Sequence, residues 1–126
     1  MDRISVRKIQ RLHNMAIDSG SNESEQILRD LIRDEGTLFY IVNKACMISD
    51  DMKCAASLLH SIATLHPFVE GNKRTAVLAA EFVMLDKIID VDGKELDAFI
   101  RNVASGIVKE KDVFEWLRSN CKSIKC

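Results

Sequence analysis

Apolar residues recur at three- and four-residue intervals along most of this chain, and strict alternation is rare, so the pattern predicts helices throughout. Val6, Ile9, Leu12 and Ala16 share one face of a helix from about Ser5 to Asp18, which the polar run "SGSNES" ends. A short helix from about Glu25 to Ile32 should follow, stopping near "RDEG". The segment "TLFYIVNKA" stays open: Phe39, Tyr40, Ile41 and Val42 favour a strand, while its length and the following Asn-Lys-Ala suit a short helix. From Asp51 to Leu65 the helical pattern is clean, with Met52, Ala55, Ala56, Leu59, Ile62 and Ala63 in register and Ser49 or Asp50 placed to cap. Pro67 disfavours the α conformation at His66 and should stop that helix there.

The next pattern, Asn72 to Ile88, is apolar on nearly every side, which predicts a long helix in the middle of the domain. Leu96, Phe99, Ile100 and Val103 mark another amphipathic helix after "DVDG", and Val113, Trp116 and Leu117 mark the last, with Trp116 as its anchor. One proline and five glycines are few for an all-β domain. The expected fold is therefore all-α, a compact bundle around a central buried helix, forming one domain over residues 1–126.

At 126 residues and 47% hydrophobic, the chain can bury a core without disulfides or a structural metal. Its 18 Lys and Arg against 19 Asp and Glu leave no global field that would draw it to nucleic acid or an anionic membrane. Cys46, Cys54, Cys121 and Cys126 form no C-x-x-C pair, and "MDRISVRKIQ" lacks the apolar stretch of a signal peptide, so reduced thiols and a cytoplasmic location are expected. The apolar runs are broken by charge well short of a membrane span. Met15, Met47, Met52 and Met84 read as core filler, and His13 and His60 as ordinary packed histidines without metal partners.

The chemistry concentrates in "HPFVEGNKRTA", residues 66–76. Asn72, Lys73 and Arg74 fall in the first turn of a helix, where free N–H groups and the macrodipole are already positive. A sequence selected only to fold would place acids there, so the cations imply a bound anion. Phosphate fits: backbone donors, a lysine and a forked arginine can surround its oxygens, and Gly71 allows close backbone approach. Glu70 can share a magnesium ion with phosphate oxygens. His66 can accept a proton from an attacking hydroxyl near neutral pH. Phe68 should point inward and pin the loop to the core. "GNKRT" is not a P-loop, because the upstream glycine and the preceding strand are missing. Hydrolytic acyl transfer lacks a nucleophile pattern.

These residues resemble the signature loop of the Fic/Doc family, and within it the death-on-curing (Doc) branch. The family pattern runs His, any, Phe, any, Asp or Glu, any, Asn, Gly or Lys, Arg, and each fixed place is filled. The resemblance extends more weakly over almost the whole chain, including Arg33 to Gly36. It implies an all-helical fold and transfer of part of a nucleoside triphosphate onto a protein hydroxyl. His66 then resembles the base, Phe68 the buried anchor, Glu70 the metal-holding acid, Gly71 and Asn72 parts of the phosphate cradle, and Arg74 the phosphate-binding arginine.

Lys73 separates the branches. Adenylyl-transferring members carry Gly there and a second Arg three residues after the first, where this chain has Val77. Doc-like members carry Lys, which implies that ATP with Mg2+ presents its γ-phosphate to His66. The expectation is a toxin that phosphorylates a protein of the translation machinery, an elongation factor by resemblance, and that a separate antitoxin restrains. Fic-type adenylyl transfer is the runner-up, and a catalytically silent nucleotide-binding module is a third possibility. The namesake of the branch carries Ala where Gly71 stands, which leaves room for an adenylylating nucleotide pose. The resemblance also places a target-binding flap near Cys46 to Asp51. The internal inhibitory motif of some members is not matched: Leu31 stands where Ser or Thr is required before Glu35-Gly36, and Ser24 follows Ser19 to Glu23.

Overall fold

The computed structural model describes residues 3–19 and 28–124. Six helices, α1 (Val6–Ser19), α2 (Glu35–Cys46), α3 (Asp51–Leu65), α4 (Asn72–Met84), α5 (Gly93–Ala104) and α6 (Glu110–Asn120), carry the fold. Two three-residue strands, β1 (Lys87–Ile89) and β2 (Cys121–Ser123), pair antiparallel and close the C-terminal end against α4. The chain is thus all-α with one small ribbon, as its periodicity requires.

The open segment 37–45 is helix. Asp34 starts α2 by accepting the N–H of Thr37 at 3.0 Å, and Leu38, Ile41, Val42 and Ala45 then bury one stripe. Helical spacing of four apolar positions outweighs the strand propensity of a short β-branched and aromatic run. Phe39 and Tyr40 consequently face outward.

Three expectations about the helices change. The central buried helix is α3, not the segment beginning at Asn72. Nine residues of α3 are buried, and it packs on α2, α4, α5 and α6. Its small side chains Ala55, Ala56, Ser57, Ser61 and Ala63 admit neighbours on several sides, whereas α4 leaves Phe82 exposed. The predicted helix to Ile88 stops at Met84, where Leu85 takes φ 62° and ψ −68° and the N–H of Asp86 bonds to the Met84 carbonyl at 2.7 Å. That tight reversal sends Lys87–Ile89 into the ribbon. Residues 25–27 of the predicted helix Glu25 to Ile32 lie outside the described residues. Its remainder is a turn, closed by the Leu31 N–H on the Leu28 carbonyl, followed by an extended residue at Ile32.

Met15 and Met47 are 57% and 86% exposed, so they are not core filler; Met84 is buried and Met52 half-buried. Trp116 is likewise only half-buried. It stacks on Phe99 with ring centroids 3.9 Å apart, while Val113 and Leu117 fill the core side of α6. Cys54 and Cys121 are free thiols, and burial pushes the Cys54 thiol up, keeping it protonated. Among the described residues, no helix is long and apolar enough to cross a membrane.

Candidate functional site: the loop between α3 and α4

α3 ends at His66, which takes a left-handed conformation (φ 51°, ψ 62°) because Pro67 excludes the helical one. For a residue with a Cβ this backbone is costly, and something must hold it. Arg33 does so: its Nε donates to the His66 carbonyl at 2.6 Å and its Nη2 to the Leu65 carbonyl at 2.7 Å. One guanidinium thereby satisfies two carbonyls at the end of α3. The backbone N–H groups of Arg33 and Asp34 both reach the Pro67 carbonyl, and Ile32 forms a bridge with Phe68. Residues 31–34 therefore line one edge of the loop. The expected flap at Cys46 to Asp51 does not: no residue of that stretch lines the cleft described below, and it forms the short connection from α2 to α3.

Inside the loop, Phe68 is fully buried, and Asn72 grips both of its backbone groups. Asn72 Oδ1 accepts the Phe68 N–H at 3.0 Å, and Asn72 Nδ2 donates to the Phe68 carbonyl at 2.9 Å. Asn72 thus works as a clamp on the loop backbone. Thr75 adds a second tie, donating its hydroxyl to the Gly71 carbonyl at 2.7 Å. His13 lies fully buried beneath, stacked on Phe68 with centroids 3.9 Å apart, and its Nε2 donates to the Glu70 carbonyl at 2.8 Å. Burial pushes the His13 imidazole below its ordinary value, which keeps it neutral, while the contact with the Glu70 carbonyl opposes the shift.

Gly71 has φ 82°, where a side chain is strained, and a Cβ would meet Ile17 Cδ1 at 3.0 Å. It is also the N-cap of α4 and supplies no side-chain cap. α2, α3 and α5 each begin on an Asp whose carboxylate accepts a first-turn N–H. The first turn of α4 holds no acid.

His66, Glu70, Gly71, Asn72, Lys73 and Arg74 all line one cleft of about 700 Å3, whose far wall is made by Leu96, Asp97 and Ile100 of α5. Phe68 is the one predicted site residue outside it, lying under the floor. His66, Glu70, Lys73 and Arg74 are exposed, so a base, an acid and two cations can meet a solvent-borne ligand. Arg74 also donates Nη1 to the Ala16 carbonyl at 2.9 Å in the last turn of α1. That negative helix end offsets part of the crowding at the start of α4.

A metal ion would have to be shared. Among the described residues no cluster of three His, Cys, Asp or Glu side chains could hold one. Glu70 with phosphate oxygens fits magnesium, which keeps few protein ligands. His13 and Arg33 escaped the sequence reading as parts of the site. His13 left a trace, a polar residue on the buried face set by Ile9, Leu12 and Ala16, whereas Arg33 sits 33 residues from the carbonyl it holds. A comparison with curated proteins finds no match. Residues 3–84, which run from the start of the described chain through the end of α4, match the Fic/DOC family. With the loop, its clamp and every charged residue of the loop inside that stretch, this chain belongs to the Fic/DOC family, whose members typically transfer nucleotide or phosphate groups to proteins.

Proposed function

We propose that this chain is a Doc-type protein kinase, which transfers the γ-phosphate of ATP to a hydroxyl of a target protein. The observation that carries this is the shared cleft: an exposed imidazole, His66, faces the same space as an uncapped, cationic helix start. A volume of about 700 Å3 is in the range that holds a nucleotide-sized ligand. Lys73 and Arg74 with the first-turn N–H groups of α4 bind the phosphates, and Asn72 acts through the backbone it clamps. Glu70 would hold a magnesium ion together with the ligand, and such an ion would supply neutralisation of phosphate charge.

His66 accepts the proton of the target hydroxyl as its oxygen bonds to the γ-phosphorus. The bond from that phosphorus to the bridging oxygen breaks, and ADP leaves. Lys73 is the residue that favours γ-transfer over adenylyl transfer, since the Doc branch carries Lys at that place. Gly71 pulls the other way, because the small residue of the branch's namesake is Ala. On the same likeness the target is a component of the translation machinery, an elongation factor, and a separate antitoxin chain covers the cleft.

Incubating the protein with ATP labelled at the α or the γ position, with cell extract as acceptor, tests the assignment. Label from the γ position on one protein band is expected. Label from the α position alone would convert the assignment to adenylyl transfer, and a His66→Ala variant that binds nucleotide yet labels as well as wild type would remove His66 from the chemistry.

A further inference from the structure

The Glu70–Gly71 peptide is held from below by a side chain that the family signature does not contain. His13 Nε2 lies 2.8 Å from the Glu70 carbonyl, and since that oxygen can only accept, the ring carries its proton on Nε2. His13 Nδ1 is then a buried lone pair, without a hydrogen-bond partner among the described residues. The ring cannot turn freely to another partner, because it is fully buried and stacked flat on Phe68 with an interplanar angle of 8°.

A trans peptide points its carbonyl and its N–H in opposite directions. Fixing the Glu70 carbonyl inward on His13 turns the Gly71 N–H outward, toward the cleft that Glu70 and Gly71 line. An anion already answers it: the Glu70 carboxylate Oε1 makes a long 3.4 Å contact with the Gly71 N–H. Gly71 lies against the same floor: its φ of 82° is strained for any side chain, and a Cβ there would meet Ile17 Cδ1 at 3.0 Å, while the His13 ring at 3.6 Å would be in ordinary contact.

We propose that His13 is a positioning residue, which aims the Gly71 N–H into the cleft as a donor to phosphate and holds it there before the ligand arrives. This rests on the reading of the cleft as a phosphate site. Pre-set donors cost no reorganisation when the ligand binds, so the effect should appear in affinity as well as in rate. Glu70 links the two parts of the device. Its carbonyl is fixed by His13, while its carboxylate occupies the Gly71 N–H until phosphate oxygens take that place and the carboxylate is released.

The experiment uses 15N-labelled full chain, titrated first with inorganic tripolyphosphate and then with ATP and magnesium. In wild type the Gly71 amide proton should move downfield. His13→Phe keeps a ring over Phe68 and loses the donor. It should retain the fold, weaken tripolyphosphate binding about tenfold or more and lose the Gly71 shift. His13→Gln, which restores an N–H donor, should recover most of both. An unmoved Gly71 amide in wild type, or His13→Phe binding and shifting as wild type does, overturns the assignment. If His13→Phe fails to fold, the wild-type resonance and His13→Gln decide. Tripolyphosphate bound at Gly71 without transfer of any γ-phosphate to protein would sink the kinase reading and leave the role of His13 standing. Transfer with an unmoved Gly71 amide would do the reverse.

Discussion

Two helix junctions in this molecule are built alike and used differently. Between α2 and α3, Arg3 reaches from outside to the Ile48 and Ser49 carbonyls and pairs with Asp51. Between α3 and α4, Arg33 reaches from outside to the Leu65 and His66 carbonyls. Each is a chain reversal whose loose carbonyls are satisfied by a remote guanidinium. They part at the helix that follows. α3 opens on Asp50, whose carboxylate accepts the Lys53 N–H at 2.9 Å, with Asp51 in the first turn. α4 opens on Gly71 without a side-chain cap and with Lys73 and Arg74 in the first turn. The first arrangement completes a helix with its own acids; the second leaves positive charge and donors facing a cleft.

The sharpest way to test that contrast is at His66. His66→Ala should lower phosphate transfer by about 10²–10⁴-fold with little change in nucleotide affinity, read from label transfer beside direct binding. Next is the floor of the loop. Phe68→Ala should destabilise the fold by about 3–5 kcal/mol, measured by urea unfolding, because a fully buried ring leaves a cavity under the clamp. The two arginines then separate the junctions directly. Arg33→Ala and Arg3→Ala should each cost roughly 1 kcal/mol in unfolding experiments. Only Arg33→Ala should also slow transfer, because it frees the strained backbone of His66. Equal loss of activity in both variants would erase the distinction.

A smaller effect is expected from pH. Burial holds the imidazoles of His13 and His60 below their ordinary value. In the range between the lowered folded value and the unfolded one the unfolded chain binds more protons, so stability falls as pH drops from about 6.5, and is regained above it. Melting curves across that range check the sign. The smallest change belongs to a third junction, from α4 to β1. Leu85 has φ 62° and a side chain 69% exposed, and it lines no part of the cleft. Leu85→Gly should stabilise the fold by about 0.5–1 kcal/mol and leave transfer unchanged, since glycine takes that backbone without strain and little packing is lost.

The cluster His66, Glu70, Asn72, Lys73, Arg74 was legible as a unit because a short loop between two helices brings close in space what is close in sequence. So were α1, α3, α5 and α6, whose apolar positions repeat at helical spacing. The end of α4 was not: "LDKIID" continues an apolar run, and only the antiparallel pairing of Ile88 with Lys122 makes it a strand. A ribbon three residues long leaves no periodicity of its own to read.

What the chain alone determined was where α1, α3, α5 and α6 lie and which loop carries the charge, since both follow from local spacing and from the unfavourable placement of cations at a helix start. Tertiary structure decided the rest: that α3 rather than α4 is innermost, that Arg33 holds His66, and that His13 lies under Glu70. Those depend on contacts between residues 33 and 57 positions apart, made when α1 and the segment before α2 pack against the loop between α3 and α4. No local pattern encodes them, because burial and hydrogen-bond partners belong to the assembled core.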